Sequence, residues 1–80
     1  MASVKGMVQV AGTTYRICRT SGHYEAIRIL DDQRVGTFIT QPKLSITSTS
    51  IEPPIMMEIA LCAMKKGHTS WTGRLFVQKT

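Results

Sequence analysis

Two cysteines are all the thiol chemistry this chain has, and Cys18 and Cys62 stand far apart without forming a C-x-x-C pair. A disulfide-stapled secreted scaffold is therefore not indicated, and both read as buried thiols. No stretch reaches the roughly 18 to 20 consecutive apolar residues that a membrane span needs. The segment Met1 to Gly12 also lacks the unbroken apolar core of a secretory signal, so the expectation is a soluble, cytoplasmic protein without membrane contact. Neither G-x-x-x-x-G-K-[ST] nor G-x-G-x-x-G occurs, which removes the common backbone cradles for phosphate. Internal repeats are absent too, and only the Ser/Thr-rich stretch 45–50 is compositionally biased.

Eighty residues fit one domain, read here as a single small domain over 1–80 with a thin core. A catalytic pocket needs walls on several sides, and so small an interior rarely supplies them. The starting expectation is therefore a binding module without catalysis or cofactor. Hydrophobic residues at 42% with 19% charged residues place the chain among globular proteins. Ten Lys and Arg against five Asp and Glu give a net charge of +5, compatible with a phosphate-bearing partner. The cations are scattered singly, with only Lys65 and Lys66 adjacent.

The first half reads as strands, because apolar and polar residues alternate between turn-forming punctuation. Val4, Gly6, Val8 and Val10 share one face of a first strand; Ala11-Gly12-Thr13 supplies a turn; Tyr15 and Ile17 share a face of the second. Residues 24 to 40 predict a second hairpin around Asp31-Asp32-Gln33, with Ile27 and Ile29 on its core side and Tyr24, Ala26 and Arg28 opposite. Beyond Pro42, residues 44 to 50 read as an edge strand fading into a loop. Pro53-Pro54 suits a helix start, Gly67 suits its end, and Lys65-Lys66 complements the negative end of the dipole, predicting a helix over about 54–66. Trp71, Gly73, Leu75 and Val77 alternate along a short final strand. The fold class is α+β: antiparallel hairpins of about five strands, one helix and a last strand, the helix lying across the sheet or plugging an open barrel.

Placed at 100° per residue, Met56, Met57, Ala60, Leu61, Ala63 and Met64 cover the expected core arc of the helix. Ile55, Ile59 and Cys62 form a second apolar stripe among the charges, a candidate partner-binding face for another protein or a second copy. Cys18, His23, Cys62 and His68 have the ligand count of a zinc site, yet their spacing departs from the usual patterns, and no metal is expected. Cys18 or Ser21 with His23 and Glu25 could suggest nucleophilic catalysis. Residues two apart seldom converge, so they read as polar groups at a hairpin end.

For nucleic acid, the candidate residues are Arg16, Arg28, Arg74, Phe76 and the pair Lys65-Lys66, with cations to neutralise phosphates and a ring on which a base can stack. Lys5-Gly6-Met7-Val8 and Gly36-Thr37-Phe38-Ile39-Thr40 resemble two strand fragments of cold-shock domains. That family's aromatic series is missing and the helix lies outside its pattern, so the chain is not assigned to it. The sequence thus predicts a non-catalytic protein-binding or accessory module, such as a component of a phage- or prophage-type assembly. The alternative is a small basic nucleic-acid-binding domain.

Overall fold

Positive φ at both Ala11 (52°) and Gly12 (81°) produces the mirror-image turn whose twist matches that of the strands it joins. It links β1 (Ser3–Val10) to β2 (Thr13–Thr20), with Val10 opposite Thr13. Ser21-Gly22 makes an equally short turn into β3 (His23–Arg28), where Thr20 faces His23. β4 (Gln33–Ile39) and β5 (Ser45–Thr49) complete an antiparallel sheet of order β1-β2-β3-β4-β5. The helix α1 (Pro53–Lys65) follows. This computed structural model describes residues 3–69; the expected strand Trp71–Val77 lies outside the described residues.

Pro53 and Pro54 occupy the first two helical positions, where the donors they lack would have had no intrahelical acceptor. The helix ends in a Schellman motif: His68 N–H donates to the Ala63 carbonyl at 2.9 Å and Gly67 N–H to that of Met64 at 3.1 Å. Gly67 takes φ 78°, the left-handed conformation this ending needs and glycine adopts without a Cβ penalty.

The helix packs against β1 and also against β4 and β5, so the sheet curls around it and brings its first and last strands to the same rod. Between them lies one core, formed by Val8, Val10, Tyr15, Ile17, Tyr24, Ala26, Val35 and Phe38 from the sheet and Met56, Ile59, Ala60 and Ala63 from the helix. The buried helical arc centres on Met56 and Ala63, rotated by about 50° from the expected arc at 100° per residue. Met57 and Leu61 move to its margin and are half-buried.

The second hairpin is inverted relative to the sequence reading. Tyr24 (4% exposed) and Ala26 (0%) face the core, while Ile27 is half-buried and Ile29 is 39% exposed. Cross-strand pairing gives the reason. Tyr24 opposes Phe38, and their rings stack with centroids 5.5 Å apart, a geometry that adds to the area they bury. Ala26 opposes Gly36, and this pair of small residues leaves room for Met56, whose sulfur would collide with any Cβ on Gly36. A one-residue register shift leaves Val35 as the extra residue between Gly36 and Arg34, and Val35 joins the same core.

Candidate functional site

The stripe expected to bind a partner turns inward. Ile59 is 0% exposed within the core, and Ile55 and Cys62 are half-buried against it. Greasy circumference that looked surplus in a one-sided surface helix is covered because the curled sheet meets the helix from both edges.

A different apolar group stands in water. Between Arg28 and Gln33, which pair across β3 and β4, the loop Ile29-Leu30-Asp31-Asp32 forms the hairpin tip, and Leu30 is 89% exposed. The tip is held at several points. Arg28 donates from Nε and Nη2 to the two carboxylate oxygens of Asp31, both at 2.9 Å. Arg16, from β2, donates to Asp32 Oδ1 at 2.7 Å. Asp32 N–H reaches the Arg28 carbonyl at 2.7 Å, and Ile29 N–H reaches that of Thr14 at 3.1 Å. Asp32 itself has φ 59°, a conformation that Asp tolerates better than most residues. The hydrogen bonds from Arg28 hold the Asp31 carboxyl below its ordinary pKa, and reciprocally keep the guanidinium charged. Leu30 forms one wall of a shallow cleft of about 330 Å³ whose other walls are Gly12, Thr13, Thr14 and Ile29.

Of the residues considered for nucleic acid, Arg16 and Arg28 are thus committed to carboxylates at this tip. Lys65 and Lys66 are exposed at the helix end, while Arg74 and Phe76 lie outside the described residues. The four candidate metal ligands are not brought together. Cys18 is buried at the cross-strand position of Val4 and Glu25, on the opposite face of β2 from Ile17, whereas Cys62 packs from the helix side. His68 lies over Gly6 and donates from Nε2 to the Met7 carbonyl at 3.3 Å. His23 donates from Nδ1 to the Ser21 carbonyl at 3.1 Å, and its Nε2 is 4.0 Å from Glu25, whose carboxylate also accepts from Arg34 at 3.2 Å.

Sequence reasoning missed the tip because Asp31-Asp32 looked like solvated turn chemistry and Ile29 like core. The usable signal was Leu30 itself, a large apolar residue directly before the acid pair. No protein-family model, no curated protein and no solved structure matches the chain.

Proposed function

We propose that this chain is a non-catalytic binding module that docks through the β3–β4 tip, and that the surface it meets is the same tip on a second copy. The observation that carries this reading is Leu30, 89% exposed on a loop fixed by two arginine–carboxylate pairs. A leucine kept in water forgoes about 1.5–3 kcal/mol that burial would provide. A loop already ordered by its own hydrogen bonds gives up little further freedom when it binds.

The choice of a second copy rests on self-complementarity. The protruding leucine also walls a cleft of about 330 Å³, roomy enough for the leucyl side chain of a second copy when about 150 Å³ accommodates benzene. A two-fold axis beside the tip would seat each Leu30 against Gly12, Thr13, Thr14 and Ile29 of the other copy, the isologous arrangement most common in symmetric dimers. Asp31 and Asp32 are each neutralised within their own chain, so the contact brings together no unpaired like charges.

Light scattering after size exclusion tests the proposal. The expected species has twice the 8.9 kDa chain mass and persists as salt rises, because apolar contacts are not screened. Leu30→Asp is expected to return it to the chain mass with its circular dichroism unchanged. A wild-type chain that remains single at all concentrations, or a dimer indifferent to Leu30→Asp, overturns the reading.

A further inference from the structure

A register shift in β1 decides which of its residues face the helix. Val8 and Val10 point into the core, and strict alternation would place Val4 with them. The shift sets Gly6 opposite Ile17 but Val4 opposite Cys18, with Lys5 as the extra residue, so Val4 turns to the outer face of the sheet, away from the helix. Met7 opposes Arg16, which in turn opposes Ile27. These three share a rung on the outer face, because their chain neighbours Val8, Tyr15, Ile17 and Ala26 are in the core. Nearer the tip, the bond from Ile29 N–H to the Thr14 carbonyl continues the β2–β3 pairing and puts Ile29 on the same face.

The large apolar side chains exposed among the described residues are Val4 at 56%, Met7 at 51%, Ile29 and Leu30. The first three stand on the outer face and Leu30 at its end, whereas the exposed positions of α1 are Pro53, Pro54, Glu58 and Lys65. An antiparallel sheet with one face in water ordinarily carries polar residues there. Here apolar side chains flank a half-buried arginine. The guanidinium charges on this face are matched within the chain: Arg16 donates to Asp32 at 2.7 Å and Arg34 to Glu25 at 3.2 Å. Lys5 belongs to the edge strand, where an interface keeps its polar rim.

Resting on the tip reading above, we propose that this outer face, through Val4, Met7, Ile27 and Ile29 around Arg16, is the body of the surface between two copies of the chain, with the Leu30 tip as one end of it. The cleft at the tip is lined by five residues, whereas a stable contact takes about 20–30 residues a side. The contact therefore continues beyond the tip, and Ile29 belongs to both the cleft and the face. One symmetry operation joins them. A two-fold axis parallel to the strands, between β2 and β3, sets the β3–β4 tip of one copy over the β1–β2 turn of the other, since both lie at the same end of the strands. The same axis lays the two outer faces together as a sandwich with its sheets roughly 10 Å apart. Arg16 of each copy then meets Ile27 of the other, and its charge is already balanced by Asp32.

The test is sedimentation equilibrium of the full chain. Each substitution is repeated in both copies, so Met7→Asp and Val4→Asp are each expected to weaken the dimer at least roughly 10-fold, with circular dichroism unchanged. Glu58→Gln, on the exposed side of the helix, is expected to leave it as it is. A dimer lost in Leu30→Asp but indifferent to both face variants overturns the proposal and leaves the tip reading standing. A dimer sensitive to the face variants but indifferent to Leu30→Asp keeps the face as the interface and removes the tip from it. A wild-type chain that stays single overturns both. Met7→Asp lowering the urea midpoint even where the wild type is diluted to single chains would assign the face to cover by the chain's own remaining residues. Binding of single chains to phosphatidylserine vesicles, lost in Met7→Asp, would assign it to a membrane surface. Either result overturns the proposal.

Discussion

The imidazole of His68 lies directly over Gly6, so close that a Cβ at that position would fall inside the ring's van der Waals envelope. The same ring donates from Nε2 to the Met7 carbonyl at 3.3 Å. In a two-residue hairpin the flanking pair exchanges hydrogen bonds, so Val10 and Val8 aim their backbone groups at β2 and Met7 aims outward. His68 thus fastens the end of the helix to the outer edge of β1 and caps a carbonyl that a foreign strand could otherwise recruit.

Gly6→Ala must displace that ring. The expected loss is about 1–3 kcal/mol, the usual range for an overpacked contact, read from the midpoint of urea unfolding. In a His68→Ala background the same substitution should cost distinctly less, because the colliding group is gone. An equal cost in both backgrounds would show that the ring and Gly6 do not interact energetically.

Gly36→Ala should be at least as harmful. Its Cβ would meet the Met56 sulfur and would also stand 2.8 Å from the Ser48 carbonyl oxygen. A flexible thioether can move aside, but the carbonyl belongs to the neighbouring strand β5. Met56→Ala is therefore expected to relieve only part of the cost, as a thermal or urea double-mutant cycle would reveal.

These two glycines also explain which parts of the fold were legible in the sequence. The hairpins around Gly12 and Asp31-Asp32, the edge strand after Pro42 and the helix from the double proline to Gly67 each follow from local turn chemistry and periodicity, and all are present. The face of β3 was not legible, since Tyr24, Ala26, Ile27 and Ile29 give both faces apolar members. The choice depends on partners distant in sequence: Phe38 for Tyr24, and Gly36 with Met56 for Ala26. Small residues look like weak core candidates in a sequence, yet here they let the helix approach. The Leu30 tip was hidden by the same error, because placing Ile29 in the core implied a short polar turn. The stripe Ile55, Ile59 and Cys62 was legible as apolar, but its covering was not, because that depends on the curl of the whole sheet.

Ile59 separates an inner stripe from an outer one most sharply. At 0% exposure, Ile59→Ala is expected to cost about 2–5 kcal/mol through lost burial and the cavity left behind. Leu61→Ala, at the half-buried margin, should cost clearly less. Urea unfolding of the two variants at matched protein concentration checks this, and the reverse order would place the inward face elsewhere on the helix.

The tip also predicts a pH response. Arg28 holds Asp31 below its ordinary pKa of 3.8 mainly through their hydrogen bonds. A carboxyl depressed in the folded state favours folding above its unfolded pKa, and that contribution fades as pH falls through the folded value. Carboxyl NMR titration should therefore find Asp31 titrating below 3.8 in the wild type and moving up in Arg28→Gln. An identical midpoint in both would mean that the pair does not order the loop in solution.

The docking role of the tip is tested most directly by the methyl signals of Leu30, followed by NMR as the protein is diluted. If two copies meet through this end, the Leu30 methyls and the Thr13 and Thr14 amides should shift together along a single dimerisation curve, while Lys43, in the β4–β5 loop at the other end of the strands, stays still. Leu30 methyls that hold one position at every concentration, or a shift confined to the β4–β5 loop, would contradict it.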